Sequence, residues 1–228
     1  VGEILAMIGP NGAGKSTCFN CINGQIRPDL GSIHFNGQEL GGLKPRSIWR
    51  LGVGRTFQIT ATFSSMTVSE NVQMALISYY DRTRAIFPLA TKLYINEAIA
   101  LLEAVGMADQ ASRPCNILAY GDLKRVELAV ALANKPSLLL MDEPTAGMAP
   151  QERIELMRLT SRIVSKRRIS VLFTEHDMDV VFTNADRIIV LNRGEVIAED
   201  SPESIRENPL VKEVYLGAGS TYATDWAD

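Results

Sequence analysis

The chain has 228 residues, of which 46% are hydrophobic and 21% are charged, and its formal net charge is -3. These values are ordinary for a globular protein with a sizeable core, and they fit one α/β domain or a core with an inserted subdomain. The slightly acidic balance argues against nucleic acid as the main partner, because nucleic-acid binding needs clustered positive charge. No apolar run in the sequence approaches the ~18 residues that can cross a membrane.

The cysteines and the N-terminus predict a cytoplasmic protein. The chain carries no recognisable secretion signal, and its cysteines are only Cys18, Cys21 and Cys115. An odd and sparse set of this kind is typical of reduced thiols. Cys18 and Cys21 have C-x-x-C spacing, but they fall inside a predicted helix and the chain has only two histidines as further zinc ligands. We interpret them as small residues on a packed helix face.

A glycine-rich stretch near the N-terminus carries the clearest chemical signal. It matches the phosphate-binding loop G-x-x-x-x-G-K-[ST] at every fixed position. The apolar run 3–8 before it is typical of a buried strand, and the residues 15–23 after it predict a helix that Gly24 ends. Inward-facing N–H groups and the positive end of the helix dipole can together bind phosphate. The candidate nucleotide-binding residues are Gly9, Pro10, Asn11, Gly12, Ala13, Gly14, Lys15, Ser16 and Thr17.

The residues after this first helix predict a small β structure beside a short helix. The stretch 31–37 carries a strand that ends in Asn36-Gly37, a dipeptide typical of tight hairpins. We interpret 46–50 as a short helix. The stretch 53–57 then predicts a further strand, which ends at Gln58.

A mainly helical insertion is predicted over 66–134, because this region interrupts an alternation of strands and helices. Thr67 and Glu70 have the spacing of a capping box, which predicts a helix that runs to about Ser78. Further helices are predicted over 95–105 and 123–134 from apolar residues at helical spacing.

Polar side chains follow two predicted strands in the second half of the chain. Asp142 and Glu143 come directly after the strand 138–141, and His176 follows the strand 169–173. Ligands of open α/β sheets bind outside the carboxyl ends of the strands, so we expect these side chains at a ligand site. The remaining predicted elements are a helix over 151–166, a strand pair over 187–191 and 195–198, a peripheral helical piece over 202–216 and a loose tail over 217–228.

The two adjacent carboxylates predict two different roles. Asp142 can hold Mg²⁺ opposite the Ser16 hydroxyl, while Lys15 reaches the β- and γ-phosphates. Neighbouring side chains of a strand point to opposite faces, so Glu143 is directed differently from Asp142. We therefore expect Glu143 to polarise the attacking water as general base.

The order of these motifs, together with Leu118-Ala119-Tyr120-Gly121-Asp122, resembles the ATP-binding subunits of ABC transporters. The resemblance covers essentially the whole chain. It implies a P-loop NTPase fold of the α/β class, with a mainly parallel sheet, a small antiparallel β part and an inserted helical subdomain. It also implies an ATP-binding core over 1–65 and 135–216, a helical subdomain over 66–134 and a C-terminal tail over 217–228. The implied activity is ATP hydrolysis that depends on Mg²⁺.

The resemblance implies a role for each candidate residue. Gln58 would be the Q-loop residue, which touches Mg²⁺ or water and couples to the membrane domain, and His176 would be the switch histidine at the γ-phosphate. The signature residues Leu118, Ala119, Tyr120, Gly121 and Asp122 would complete the nucleotide site of a partner subunit. The expected catalytic residues are then Glu143, His176 and Gln58, and the expected metal ligands are Ser16, Gln58 and Asp142.

Finer features resemble the high-affinity branched-chain amino-acid importers. These are the stretches 54–58, 65–72, 120–121, 146–150 and 208–217. Urea-import and lipopolysaccharide-export ATPases share several of them, so the ATPase of another ABC system stays an alternative. A weakly hydrolysing nucleotide-binding regulatory module is a further alternative, against which Glu143 and His176 argue.

The resemblance also implies partners and a location. The partners would be a second ABC ATPase subunit, integral membrane permease subunits and, indirectly, a periplasmic binding protein. The chain would lie in the cytoplasm, peripheral to the inner membrane through the permeases. Transport specificity resides in those other subunits, so the sequence leaves the solute open.

Three features depart from the family pattern. Ala119 stands where the signature serine is usual, and Ala149 stands where the D-loop aspartate is usual. We expect both to weaken closure of the dimer, which favours a heterodimer over a tolerant homodimer. The chain also opens at Val1, eight residues before Gly9. We therefore expect a truncated start. Family members stack adenine on an aromatic residue further upstream, so we also expect weak adenine binding.

Overall fold

The computed structural model describes residues 1–56, 62–82 and 93–216. Gln58 and the predicted tail over 217–228 lie outside the described residues. The strands are β1 (Ile4–Ile8), β2 (His34–Phe35), β3 (Gln38–Glu39), β4 (Val53–Thr56), β5 (Leu138–Asp142), β6 (Ser170–Thr174), β7 (Arg187–Asn192) and β8 (Glu195–Asp200). The α-helices are α1 (Lys15–Ile22), α2 (Pro45–Arg50), α3 (Val68–Tyr79), α4 (Ile95–Ala104), α5 (Tyr120–Ala131), α6 (Pro150–Arg167), α7 (Met178–Asn184), α8 (Pro202–Glu207) and α9 (Pro209–Leu216).

One mainly parallel sheet organises the chain. Among the described residues its strand order is β4-β5-β6-β1-β7-β8, with the β7–β8 pair antiparallel and the other pairs parallel. A second, two-stranded sheet pairs β2 with β3 across Asn36 and Gly37, whose φ angles of 49° and 79° suit a tight hairpin turn. The predicted α/β class and the small antiparallel part are therefore confirmed. Parallel pairing also places the carboxyl ends of β5, β6 and β1 side by side.

Successive side chains of the central strands enter two different hydrophobic clusters. On one face Met7, Leu140 and Leu172 pack with Phe19 of α1 and Ile48 of α2. On the other face the alternate residues of the same strands join a larger cluster with side chains of α3 to α7, and these strand residues are Ile4, Ala6, Ile8, Leu139, Met141, Val171 and Phe173. The strands are thus buried on both sides, which explains why they read as nearly continuous apolar runs.

The helices of the predicted insertion pack on one another. Helix α3 contacts α4 and α5, and its capping box is present, because Thr67 accepts from the Glu70 backbone while Glu70 accepts from the Thr67 backbone. Helix α5 begins at Tyr120, so the prediction that it starts at 123 was wrong. Ala119 adopts an extended conformation, and the next residues already follow the helix. The bounds 66–134 of the insertion stay a prediction. None of the described helices combines the length and apolar character needed to cross a bilayer.

Buried Asn71 joins the segment before α3 to the segment before α5. Its amide nitrogen donates to the carbonyls of Phe63 and Thr67 at 3.1 and 3.0 Å and lies 3.2 Å from Cys115 Sγ. Its carbonyl oxygen accepts from the Phe63 backbone at 2.7 Å. The side chain is 4% exposed, so water offers few replacement partners. The Asn71 side chain therefore connects residues 63–67 to the segment that precedes α5.

Replacing Asn71 with alanine should lower the free energy of unfolding by about 1–3 kcal/mol, because backbone groups of Phe63 and Thr67 lose a buried partner. The matched control is Asn116→Ala, since Asn116 is exposed and should change stability by less than ~0.5 kcal/mol. Denaturant unfolding of the two variants measures the difference. Equal stabilities for both would contradict the role given to Asn71.

Candidate functional site

The loop between β1 and α1 passes directly over the end of β7. A Cβ atom on Gly9 would lie 2.2 Å from the Leu191 carbonyl oxygen, so a larger residue does not fit there. Gly12 and Gly14 have φ angles of 81° and 107°, a region that favours glycine. The Gly194 N–H donates to the Ala13 carbonyl at 2.9 Å. The β7–β8 turn and the glycines together set the path of this loop.

Lys15 opens α1 and is only 8% exposed. Its Nζ donates to the carbonyls of Gly9 at 2.6 Å and Pro10 at 3.2 Å. An ammonium has three donors, so within the described ranges one N–H remains for a further acceptor such as a phosphate oxygen. Burial lowers the pKa of Lys15, and the charges of Glu143 and Asp142 act in the opposite direction.

Asp142 is held from both neighbouring strands. Its Oδ1 accepts from the Thr174 hydroxyl of β6 at 2.9 Å, and its Oδ2 accepts from Arg55 Nη2 of β4 at 3.3 Å. Arg55 Nη1 also donates to Asn20 Oδ1 of α1 at 2.9 Å. Sequence reasoning missed Arg55 and Thr174. The register of the sheet was the missing signal, since Thr174 lies directly opposite Asp142.

Glu143 leaves the strand through a left-handed turn. Its φ is 46°, and β5 already ends at Asp142. The prediction that strand alternation directs the Glu143 side chain away from Asp142 was therefore wrong. The backbone N–H of Glu143 donates to the Thr174 carbonyl at 3.1 Å and lies 3.2 Å from the Thr174 hydroxyl oxygen. This turn carries Glu143 Oε1 to 3.0 Å from His176 Nε2. An ionised carboxylate only accepts, so the imidazole N–H is the donor in that state.

Two oxygen-bearing side chains suit a magnesium ion. The Ser16 residue lies exposed in the first turn of α1, and the Asp142 carboxylate is 15% exposed at the end of β5. Hydroxyl, carboxylate and water oxygens are the ligands that Mg²⁺ prefers, so the donor chemistry fits this ion. The third predicted ligand, Gln58, lies outside the described residues.

The described contacts of the signature residues are with parts of the chain other than the phosphate loop. Asp122 accepts from Gln110 at 3.2 Å, and Gly121 lies so close to Glu152 that a Cβ atom would come within 2.8 Å of the Glu152 carboxylate. Tyr120 is 40% exposed. In the part of the chain that the structure describes, no hydrogen bond or ion pair joins 118–122 to 9–17.

Further polar residues that sequence reasoning missed surround His176. Glu175 is 4% exposed and accepts two hydrogen bonds from Thr145, and Arg153 bridges Met148 to Asp177. The contact of Glu175 with Thr145 and that of Arg153 with Asp177 join residues 30 and 24 positions apart, so no local pattern points to them. The only available signal was the position of Glu175 itself, a carboxylate between an apolar strand and a candidate catalytic histidine.

Comparison with known proteins places the chain in a family. The sequence model described as "ABC transporter" matches residues 1–146, and one described as "Branched-chain amino acid ATP-binding cassette transporter" matches residues 195–221. The chain is 41% identical to the high-affinity branched-chain amino acid transport ATP-binding protein LivG of Escherichia coli K12, over 94% of this chain and 87% of LivG.

Solved structures agree with this assignment. The ADP conformation of MJ1267, an ATP-binding cassette of an ABC transporter, superposes with a TM-score of 0.84 at 30% identity and covers 95% of this chain and 88% of that one. The dimeric post-hydrolysis structure of the ATP-binding cassette MJ0796, bound to ADP and Pi, gives a TM-score of 0.74 at 27% identity over 88% and 86% of the two chains. The resemblance inferred from the motifs is confirmed, and the chain belongs to the ATP-binding subunits of ABC transporters, which are ATPases.

Proposed function

We propose that this chain hydrolyses ATP to drive the import of branched-chain or related amino acids. The observation that supports hydrolysis is the 3.0 Å contact between Glu143 and His176 beside the phosphate loop. The solute class rests on the relatives, since LivG is a branched-chain amino acid transport protein and the C-terminal residues match a family model of the same description. In this proposal 1–65 and 135–216 form the ATP-binding core, and 66–134 form the helical subdomain.

Binding of the triphosphate falls to the loop Gly9–Thr17 and to the start of α1. The remaining N–H of Lys15 donates to a β- or γ-phosphate oxygen, and its burial strengthens that contact by excluding water. Ser16 and Asp142 hold the magnesium ion, with Gln58 as the further ligand that the family resemblance predicts. When bound, Mg²⁺ neutralises charge that develops on the phosphate oxygens.

Glu143 acts as the general base in this proposal. Its carboxylate accepts a proton from the water that attacks the γ-phosphate, and His176 Nε2–H fixes the direction of that carboxylate. The left-handed backbone of Glu143 separates the base from Asp142, so one carboxylate serves the metal ion while the other serves the water. His176 also contacts the γ-phosphate.

The dimeric structure of the related cassette MJ0796 supports a second ABC ATPase subunit as partner. Residues 118–122 then complete the nucleotide site of that subunit, and the first turn of α5 provides N–H groups for its γ-phosphate. Permease subunits attach the chain to the cytoplasmic face of the inner membrane, and a periplasmic binding protein delivers the solute to them.

The ATPase of another ABC system, for urea or amide import or for lipid export, stays the alternative. The neighbouring genes separate these functions, because a gene for a periplasmic amino-acid-binding protein beside two permease genes would favour amino-acid import over lipid export. A weakly hydrolysing regulatory module is disfavoured, because both Glu143 and His176 are present and in contact.

Replacing Glu143 with glutamine should lower kcat for Mg-ATP by ~100-fold or more, because a general base contributes roughly 10²–10⁴ in rate. The affinity for ATP should stay within about threefold, since the phosphate-binding loop is unchanged. Glu203→Gln on α8 is the matched control, because it makes the same chemical change at an exposed position. If the Glu143 variant kept more than about a tenth of the activity, another group would have to be the base.

Replacing Ala119 with serine should tighten ATP-dependent dimerisation of the Glu143→Gln chain by roughly 10- to 100-fold. A hydroxyl that donates to a charged γ-phosphate contributes about 1.5–3 kcal/mol, and the chain lacks that hydroxyl. Without the serine we expect a monomer at low micromolar concentration, because the natural partner is a different subunit. Mass in solution with Mg-ATP measures the change.

Serine at this position could also stabilise α5 as its N-cap, since Ala119 provides no side-chain cap. Ala119→Asp separates the two effects, because aspartate caps a helix but repels the phosphate. A homodimer that forms at low micromolar concentration with Ala119, and is unaffected by serine, would contradict the proposed heterodimer.

A further inference from the structure

His176 lies between two anchor residues that the proposed mechanism does not use. The residue before it, Glu175, and the residue after it, Asp177, both connect to the segment 143–149, which we call the β5 turn because it directly follows β5. The imidazole of His176 meets the same turn at Glu143. Three consecutive residues after β6 are therefore tied to one turn after β5.

Glu175 contacts the β5 turn through one carboxylate oxygen and the His176 backbone through the other. Its Oε1 accepts from the Thr145 backbone N–H at 2.8 Å and from the Thr145 hydroxyl at 2.7 Å. Its Oε2 accepts from the His176 backbone N–H at 3.2 Å. Glu175 is 4% exposed and Thr145 is 1% exposed, so water does not replace these contacts.

Arg153 of α6 makes the second connection. Its Nε donates to the Met148 carbonyl at 2.9 Å, and its Nη1 pairs with Asp177 Oδ2. Asp177 Oδ1 in turn accepts from Val180 and caps α7. The backbone on the far side of His176 is thereby fixed to the opposite end of the β5 turn.

The chemistry at position 175 requires a carboxylate. Two donors approach one oxygen and a third approaches the other, and only a group with two acceptor oxygens satisfies both sides. Burial raises the pKa of Glu175, whereas the hydrogen bonds from Thr145 and His176 oppose that rise because they favour the charged form. A buried carboxylate at a strand end is costly unless it is hydrogen-bonded in this way.

We propose that Glu175 is a positioning residue that sets where the His176 imidazole stands relative to Glu143, with the Arg153–Asp177 pair as the second anchor. The inference rests on the proposed function, in which His176 acts at the γ-phosphate. Glu175 itself contacts neither nucleotide nor water in this mechanism. It transmits the arrangement of the β5 turn to His176 through the backbone.

Glu175→Gln is the sharpest test, because glutamine keeps the shape of the side chain but accepts at one oxygen only. Its oxygen satisfies Thr145, and its NH₂ group then faces the His176 N–H, which pushes two donors together. In the assembled transporter we expect kcat for Mg-ATP to fall by ~10- to 100-fold while KM stays within about threefold, as for a misplaced catalytic group. Asp179→Asn is the matched control, because it removes a charge at an exposed position just beyond His176.

A second readout follows the histidine directly. The chain has only two histidines, His34 and His176, so the imidazole signals of the full chain are simple to assign by NMR. The imidazole chemical shifts of His176, measured at one fixed pH, should move in Glu175→Gln, while those of the exposed His34 stay unchanged. Should the glutamine variant not fold, Thr145→Val removes one donor to Glu175 and should give the same pattern with a smaller loss of kcat.

The possible outcomes separate the two claims. If the wild-type transporter hydrolyses ATP and Glu175→Gln matches Asp179→Asn in kcat and in the His176 chemical shifts, the positioning role is overturned and the proposed function stands. If the wild-type transporter does not hydrolyse ATP, the proposed function fails, and the His176 chemical shifts alone then decide whether Glu175 positions the ring. A fall in kcat with little change in KM, together with moved His176 chemical shifts, supports the inference.

Discussion

Parallel pairing of β5 with β6 places Asp142 directly opposite Thr174, and the rest of the site depends on this register. The Thr174 hydroxyl donates to Asp142 and also lies within hydrogen-bonding distance of the Glu143 backbone N–H. The buried Thr174 side chain therefore contacts both acidic residues, Asp142 at its carboxylate and Glu143 at its backbone. The proposed metal ligand and the proposed base keep a fixed relation to each other, because both contact the same residue of the neighbouring strand.

The strand order brings the phosphate loop to the same edge. β1 lies between β6 and β7, so the loop that follows it emerges beside the ends of β6 and β5. The close approach of Gly9 to Leu191 fixes the loop against β7, and side chains from both faces bury the strands. The site residues thus lie at the ends of strands in a well-packed sheet, and precise placement of reacting groups requires such rigid support.

The parts of the fold that the sequence predicts are those with a local signal. The phosphate loop, the capping box at Thr67 and the apolar strand before Asp142 each occupy a few consecutive residues, and the structure places them as expected. The sequence analysis predicted that Glu143 and Asp142 point in different directions, but it attributed this to alternation within a strand. The cause is the left-handed backbone of Glu143, and a non-glycine residue with φ of 46° has no signature in sequence. Arg55 and Glu175 were missed since their partners lie 87 and 30 residues away. The role of Gln58 stays a prediction.

The most direct test of the account is the rate of Mg-ATP hydrolysis by the assembled transporter, measured with a binding protein that carries leucine, isoleucine or valine. The account predicts that these loaded binding proteins accelerate hydrolysis, because ATP hydrolysis at the site of this chain drives the import of the amino acids that they carry. An unchanged rate with all three amino acids, together with acceleration by a urea-loaded binding protein, would contradict it.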